Sequence, residues 1–324
     1  FKQKTAYEIK ECDWSSDVCS SDLMILIDYS QVALATILTF QRELKGTESE
    51  VKNLIRHVTL STIKSYKKKY GKEYGQIVIC TDGRKYWRKE VFEHYKAGRK
   101  KARDASDLDW KLIFDTLSEM RDDIQKYFPY KVIKVERAEA DDIIAVLTEY
   151  VQTNELIQEG LMEEPQKVLI LSSDKDFKQL QLAPFSSGNV SQWSPMQKKY
   201  IKASKSEIME FTIEHIVKGD AGDGVPNILS KDDVFVTGDR QKPVSAKRLS
   251  EFYEKGIDAC RNDEERRNWQ RNATLVAFDN IPKSVKDEIL EAYLNSKPTG
   301  DKMTIMNYLI EHRCRLLLDE LEDF

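Results

Sequence analysis

Nine carboxylates stand in short, tight motifs of this 324-residue chain, and carboxylates at such spacing can bind metal ions. Two carboxylates in contact already force one pKa upward, so a cluster of them requires a counter-charge. An all-oxygen ligand set selects hard divalent ions such as Mg²⁺ or Mn²⁺, and the spacing is not that of a calcium-binding EF-hand loop. Two such ions, about 3.5–4 Å apart, can promote in-line phosphodiester hydrolysis. The nine residues are Asp28, Asp82, Glu139, Asp141, Asp142, Asp174, Asp176, Asp220 and Asp223.

Three of these acids end apolar runs that read as strands. MILID, QIVICTD and KVLILSSD are apolar up to their final polar residues, and they end at Asp28, Asp82 and Asp174. Continuous apolar runs are typical of parallel strands covered on both faces. A single Asp in this position is usually a helix cap or a turn residue. Three such acids at the ends of neighbouring parallel strands would converge on the sheet edge where open α/β sheets bind ligands.

The other acids lie at a predicted helix start and in two turns. RAEADDII places Glu139, Asp141 and Asp142 in a first helical turn, where the helix dipole alone already favours acids. SSDKDF adds Asp176 two residues after a strand-end acid, and KGDAGDGVP carries the last two acids in a glycine-rich turn.

The elements that must position these acids alternate between strands and helices. Helical patterns cover about 48–70, 107–128 and 139–158, and a fourth strand-like run, YKVIKVE at 130–136, is expected to join the sheet. This alternation predicts an α/β fold with a central, mainly parallel sheet flanked by helices.

A basic, aromatic segment follows Asp82 directly and reads GRKYWRKEVFEHYKAGRKKARDAS. Basic groups neutralise phosphates, and aromatic side chains stack on unpaired bases. A charge run alone is usually a solvated helix face. The interleaved aromatics, beside a cluster of acids, indicate instead a nucleic-acid strand led to metal ions.

Overall composition says less, because 51 Lys and Arg nearly balance 55 Asp and Glu. The charges are segregated into blocks, and no run approaches the roughly 20 apolar residues of a membrane span. Beyond residue 23 the cysteines are Cys80, Cys260 and Cys314, an odd and scattered set that indicates a reducing compartment.

Residues 1–23, FKQKTAYEIKECDWSSDVCSSDL, fit no targeting segment. They lack the apolar core of a secretory signal and contain too many acids for a transit peptide. Cys12 and Cys19 form a weak zinc motif without a nearby histidine. FKQKTAYEI and DWSSDVCSSDL resemble translations of the constant parts of a sequencing-library adapter. We therefore expect residues 1–23 to be a non-native extension and Met24 to be the natural start.

Five motifs together resemble the 5′-nuclease superfamily, which includes the flap endonucleases, and in particular its phage RNase H branch. They are MILIDYS, ICTDGRKYWRKEVFEHYKAGRKKAR, EADDIIA, SSDKDF and KGDAGDGVP, in family order. The resemblance runs from Met24 to near the C-terminus. It implies a Mg²⁺-dependent 5′→3′ exonuclease and flap endonuclease acting on RNA–DNA hybrids and on flapped or duplex DNA. It also implies removal of RNA primers during phage DNA replication, with two Mg²⁺ ions that Mn²⁺ can replace.

The resemblance also assigns roles to individual residues. The ligands of the first metal would be Asp28, Asp82, Glu139 and Asp141. The second-metal group would be Asp141, Asp174, Asp176, Asp220 and Asp223, with Asp142 acting through water. Lys96 and Arg99 would contact the scissile phosphate beneath a helical arch at about 84–120, on which Arg84, Trp87 and Arg88 are further candidates for nucleic-acid contact. The implied catalytic set is Asp28, Asp82, Asp141, Asp174, Lys96 and Arg99.

Two domains are implied, a catalytic α/β domain at 24–205 and a helical DNA-binding domain at 206–324. The second begins with IMEFTIEHIVKGDAGDGVP, which resembles a helix–hairpin–helix element. The chain then departs from the wider pattern, because NILSKDDVFVTGDRQKPVSAKRL replaces the second glycine-rich hairpin. This replacement weakens the expectation of a bound potassium ion. Lys242, Lys247 and Arg248 remain candidate phosphate contacts there.

Two alternatives stay open at this point. One is a catalytically weak, structure-specific DNA-binding protein of the same fold, and the other is a PIN-like ribonuclease. The complete set of acids favours an enzyme, and the arch and the long C-terminal region argue against a PIN-like ribonuclease. We expect a monomer in the host-cell cytoplasm, not at a membrane, with DNA and RNA–DNA hybrids as partners. A single-stranded-DNA-binding protein and a sliding clamp are further expected partners.

Overall fold

The computed structural model describes residues 24–152 and 165–324, so the expected extension at 1–23 lies outside the described residues. Its strands form a six-stranded sheet in the order β3–β2–β1–β4–β5–β6, in which only β5 and β6 pair antiparallel. The strands are β1 Met24–Asp28, β2 Gln76–Thr81, β3 Lys131–Lys134, β4 Val168–Leu171, β5 Val190–Ser194 and β6 Lys199–Ile201. The mainly parallel α/β fold is thus confirmed.

Helices cover both faces of this sheet and build the C-terminal region. The described α-helices before β5 are α1 Tyr29–Ile37, α2 Glu48–Tyr74, α3 Trp87–Val91, α4 Arg99–Asp104, α5 Trp110–Tyr127 and α6 Ala140–Gln152. Those after β6 are α7 Lys205–Lys218, α8 Val234–Thr237, α9 Ala246–Lys255, α10 Asp263–Val276, α11 Lys283–Asn295 and α12 Lys302–Glu311. No helix in these ranges is both long enough and apolar enough to cross a membrane.

Strand β1 is apolar up to its last residue, Asp28, as suits a central strand covered on both faces. Ile25 and Ile27 belong to the core shared with α2 and α5, whereas Met24 and Leu26 belong to the core shared with α6 and α11. Successive side chains alternate between the two cores, as the period of a strand requires. Full burial of each large apolar side chain contributes about 1.5–3 kcal/mol.

The secondary structure follows the sequence patterns closely. The helices expected at about 48–70 and 107–128 are α2 and α5, and α2 begins with a capping box between Thr47 and Glu50. The third expected helix is α6, which is described as far as Gln152. The fourth strand-like run is β3, which pairs in parallel with β2.

The expected arch at 84–120 packs against the rest of the protein at both of its ends. Helix α5 packs against α2, so residues 110–120 of the expected arch belong to the folded body. Before them lie the short helices α3 and α4. Phe92 and Tyr95, between these helices, are buried against Val225 and Leu275 of the C-terminal region. The start of the basic segment is therefore anchored to the C-terminal region.

The C-terminal region packs on both faces of the sheet. Its first helix is α7, whose N-cap is Ser204. Helices α7, α9 and α10 share a core in which Phe252 and Trp269 stack with ring centroids 5.2 Å apart. Helix α11 packs on α6, and Tyr308 of α12 joins the core beneath α2 and α5.

Candidate active site

The strand-end acids meet at the carboxyl edge of the three central strands, as the sequence predicted. Asp28 ends β1, where its Oδ1 caps α1 by accepting from the Gln31 amide and its Oδ2 accepts from Ser172 Oγ at 3.0 Å. Asp82 follows β2 and accepts from the Ala140 amide and from Ser30 Oγ, both at 3.0 Å. Each carboxylate therefore has a fixed orientation.

Burial and like charge shift the titration of these acids. Burial, with the charge of Asp82 adding to it, raises the pKa of Asp28 to about 7. Burial and the charges of Asp174 and Asp28 likewise raise the pKa of Asp141 well above its usual range. Carboxylates that repel one another in this way lack a counter-charge, and a divalent cation would supply it. An oxygen-rich donor set of this kind fits Mg²⁺ or Mn²⁺.

Helix α6 separates its acids into two environments. Asp141 lines the acidic cavity, whereas Asp142 is fully buried behind Glu139. Asp142 Oδ2 accepts from Trp87 Nε1, from Arg88 Nη1 and from the Glu139 amide at 2.9–3.0 Å. Its Oδ1 lies 2.8 Å from Arg88 Nη1. The assignment of Asp142 to the metal group is therefore corrected, because its side chain has no exposed surface and does not line the acidic cavity.

Arg88 and Trp87 belong to this buried network and do not form part of a nucleic-acid surface. Their exposed fractions are 3% and 2%, and Arg88 Nε donates to the Leu275 carbonyl at 2.8 Å. With only 3% of its surface exposed, the Arg88 side chain has almost no free surface to offer a phosphate. The sequence-based assignment of both residues to nucleic-acid contact is wrong for this reason. Arg84, by contrast, is exposed.

Lys96 and Arg99 connect the basic segment to both groups of acids. Lys96 Nζ bonds Glu139 and lies 3.7 Å from Asp223 Oδ2, and Arg99 pairs with Asp223. Burial disfavours the charge of Lys96, but Glu139 and Asp223 outweigh it and raise the Lys96 pKa. The pKa of Glu139 is lowered, because Lys96 and Arg88 overcome the cost of burial. Both basic residues predicted for the site therefore lie in it.

Tyr95 is a residue of this site that the sequence did not single out. Its hydroxyl lies 3.0 Å from Glu139 Oε2 and 2.8 Å from Asp223 Oδ2. The side chain therefore joins an acid at the start of α6 to an acid of the C-terminal turn. Its position beside Lys96 and its aromatic character were the available signals.

The glycine-rich turn after α7 positions the last two acids. Gly219 ends α7 with φ +68°, and an added Cβ would lie 2.3 Å from the Val225 carbonyl oxygen. Asp220 and Val225 exchange backbone hydrogen bonds across the turn, at 2.9 and 2.7 Å. The buried amide of Asn272 on α10 fixes the turn further by donating to the Ile216 and Pro226 carbonyls. This turn holds its acids toward the sheet edge.

A histidine completes the second group of acids. Asp176, His215 and Asp220 each offer one ligand atom, and these three atoms lie within 4.8 Å of one another. Such a spacing suits a shared metal ion. Burial opposes the charge of His215, but its hydrogen bond to Asp220 and the charge of Asp176 raise its pKa. That hydrogen bond lowers the pKa of Asp220 to about 2, whereas burial and Asp174 raise the pKa of Asp176 to about 7. The all-oxygen expectation missed His215, whose signal was its position one helical turn before KGD.

One cavity is lined by acids of the second group. Its lining includes Asp141 from α6, Asp176, and Asp220 and Asp223 of the glycine-rich turn, together with Tyr95 of the basic segment. Asp174 stands beside it as an exposed residue whose Oδ1 accepts from the Asp176 amide at 2.9 Å.

The candidate phosphate contacts of the C-terminal region divide by exposure. Lys242 and Lys247 are exposed. Arg248 is 5% exposed and pairs with Glu251 and Glu265, so its assignment as a phosphate contact is corrected. Its guanidinium fastens α9 to the start of α10 and does not face solvent.

The sheet, the acidic cavity and the basic segment together define a 5′ nuclease. The model of the 5′–3′ exonuclease N-terminal resolvase-like domain matches residues 23–211, and that of the T4 RNase H C-terminal domain matches residues 205–324. The chain belongs to the 5′–3′ exonuclease family and is a nuclease.

The chain is also similar to individual proteins and solved structures. The chain is 31% identical to ribonuclease H of Enterobacteria phage T4, over 96% of this chain and 97% of that protein. Two solved structures from phage T5 share the fold. The T5 5′-exonuclease with bound zinc ions is 19% identical, with a TM-score of 0.56 over 85% of this chain and 98% of its own. The T5 flap endonuclease in complex with DNA and metal ions is 18% identical, with a TM-score of 0.55 over 83% and 98%.

Proposed function

We propose that this nuclease uses two Mg²⁺ ions, or Mn²⁺ in their place, to hydrolyse phosphodiesters at the 5′ ends of RNA–DNA hybrids and of flapped or duplex DNA. Its role would be the removal of RNA primers during phage DNA replication. The observation that carries this proposal is the convergence of acids from strand ends, from α6 and from the Gly219 turn, with Lys96 between them. DNA bound to the T5 flap endonuclease adds support from a protein of the same fold.

The residues that would hold the ions fall into two sets. The first set is Asp28, Asp82, Glu139 and Asp141. The second set is Asp141, Asp174, Asp176, Asp220 and Asp223, to which the structure adds His215 as a nitrogen donor. Two divalent ions held by these residues would supply an activated water and would stabilise the leaving oxygen.

The protein's own groups orient the substrate and supply fixed charge. Lys96 and Arg99 present cations at the border of the two acid sets, where a scissile phosphate would lie. Tyr95 keeps Glu139 and Asp223 in a fixed relation to these cations. Hydrogen bonds from Ser30 and Ser172 keep Asp82 and Asp28 oriented. Such preorganised charge favours the developing negative charge of phosphoryl transfer.

We propose further that the enzyme acts as a monomer in the host-cell cytoplasm. A single-stranded-DNA-binding protein and a sliding clamp are its proposed partners. These proposals rest on the likeness to phage replication nucleases alone. Sedimentation of the purified chain with and without each partner would test them.

A cleavage assay tests the central proposal. A 5′-labelled flap and a 5′-labelled RNA primer on a DNA template are incubated with Mg²⁺ or with EDTA. We expect short 5′ products only with Mg²⁺. Absence of Mg²⁺-dependent products from both substrates would contradict the proposal and favour the DNA-binding alternative. Cleavage of single-stranded RNA alone would favour the PIN-like alternative.

Asp141→Asn tests the site assignment. Asp141 contributes to both acid sets, so we expect the variant to lose cleavage. It should retain substrate binding, because it removes a negative charge that repels phosphate. Asp107→Asn is the matched control, because Asp107 is 89% exposed and pairs only with Lys45 among the described residues. Normal turnover by the Asp141 variant would refute the assignment.

A further inference from the structure

A second groove lies next to the acidic cavity, between the 3₁₀ helix at 176–181 and α7. It encloses about 350 Å³, within the roughly 300–1,000 Å³ of typical ligand sites. His215 lines both spaces, so the groove adjoins the acidic cavity directly. The remaining lining residues are Lys175, Lys178, Phe211, Glu214, Lys218 and Gly219.

The charge of this groove is opposite to that of the cavity. Within the described ranges, 24–152 and 165–324, neither Lys175 nor Lys178 lies at salt-bridge distance from a carboxylate, although the charge of Lys178 acts on Glu207. Lys218 pairs with Glu214, the only acid in the lining. Two ammonium groups are therefore available to bind an anion.

An aromatic ring lies on the same wall as these cations. Phe211 is partly exposed on α7, and Lys178 Nζ lies 4.9 Å from its ring centroid. The Lys178 ammonium beside this ring is a favourable cation–π arrangement, and the partly exposed ring is also accessible to a ligand. A ligand that matches both features carries phosphate charge and an open π-face.

We propose that this groove binds the unpaired strand of the substrate where that strand leaves the acidic cavity. The lysines would neutralise backbone phosphates, and Phe211 would stack on a base. The occupant is a single strand, because the faces of paired bases are covered by their neighbours in a duplex. The proposal rests on the proposed nuclease function and adds to it a site for the unpaired strand.

Binding measurements on the full chain in EDTA test the groove without cleavage. The probes are a fluorescent oligo(dT) and a blunt duplex of equal charge. We expect the double variant Lys175→Gln, Lys178→Gln to bind oligo(dT) about tenfold more weakly. Loss of two phosphate contacts should reduce the slope of log K against log salt by about 1.4, at about 0.7 per contact on a single strand. Duplex affinity should stay within about twofold.

Phe211→Leu tests whether the groove binds bases or is only a basic patch that binds phosphates. It removes the ring but keeps an apolar side chain, and it should weaken oligo(dT) binding by about 5- to 160-fold, the range that stacking of one base provides. Lys283→Gln is the matched control for the lysines, because Lys283 is 84% exposed on α11. Unchanged oligo(dT) affinity in the Phe211 variant, or an equal loss on duplex, would overturn the proposal. An acidic protein as the occupant would give the same unchanged affinity in the Phe211 variant.

The cleavage assay keeps the two proposals distinguishable. If wild-type protein cleaves in Mg²⁺ and the groove variants bind and cleave flaps as wild type does, the groove proposal alone is wrong. If wild-type protein does not cleave, the nuclease proposal fails whatever the groove binds. Normal cleavage of the blunt duplex by the groove variants would show that they are folded.

Discussion

Arg88 offers a decisive test of how the buried side of the site is built. Its guanidinium lies 2.9 Å from Glu139 and 2.8 Å from Asp142, and these two acids are 2% and 0% exposed. Arg88→Met preserves much of the side-chain volume but removes the charge. Breaking a buried ion pair from one side costs about 3–5 kcal/mol, because it leaves an uncompensated buried charge. Lys96 still contacts Glu139, so the unpaired charge would fall chiefly on Asp142.

Urea unfolding in EDTA at about pH 7 measures this loss. The loss in the free energy of unfolding should also depend on pH, and it should become smaller as pH falls. Without Arg88 the folded-state pKa of Asp142 would rise further above its value in the unfolded chain, so the folded variant would bind a proton that the unfolded chain releases. Its stability relative to wild type should therefore recover as pH falls through the folded-state pKa.

Arg137→Met is the matched control for the Arg88 variant. Arg137 pairs with Glu90 at the surface, where the two side chains are 34% and 58% exposed. A pair of this kind contributes less than about 1 kcal/mol. A loss at Arg88 no larger than that at Arg137, or a deficit independent of pH, would refute the reasoning. Weaker DNA binding at unchanged stability would restore Arg88 as a phosphate contact.

Two further predictions concern the acids and the histidine. Asp28 and Asp176 have pKa values raised to about 7, so without metal the folded chain takes up protons that the unfolded chain releases. Thermal melts in EDTA should therefore show Tm falling as pH rises from about 5 to about 8, and Mg²⁺ should reduce this fall; a flat profile would contradict the shifts. His215→Gln should weaken Mn²⁺ binding, measured calorimetrically, by at least about tenfold, or about 1.4 kcal/mol, and Mg²⁺ binding by less, because imidazole suits transition metals better. His57→Gln is the control, and equal losses for both ions would contradict a nitrogen ligand.

The sequence predicted where the strand-end acids lie in the fold, because the signals for their placement were local. An apolar run that ends in an acid places that acid at the carboxyl edge of a parallel strand, whatever the rest of the chain does. Asp28 and Asp82 therefore lie where the pattern put them. The glycine-rich turn similarly placed Asp220 and Asp223, because its geometry depends on Gly219 and a few neighbours.

The basic segment was predicted less well, because exposure is not a local property. Arg84 and Arg88 are equally plausible phosphate contacts in the sequence. Only packing distinguishes them, since Arg88 is covered by α6 and by the Leu275 carbonyl, 187 residues away along the chain. Arg248 was misassigned for the same reason, because its partners Glu251 and Glu265 bury it between two helices.

The sequence by itself therefore determined the α/β order, the strand-end acids and the kind of chemistry they support. Periodicity and turn residues encode these features within a few positions of one another. Tertiary structure alone decided that Tyr95 joins the two acid sets, that His215 completes the second and that Arg88 is a structural cation. Those outcomes depend on contacts between residues about 40 positions apart, such as Tyr95 with Glu139 and His215 with Asp176, or on burial by distant elements. Local sequence patterns do not predict which side chains distant in the sequence will be in contact.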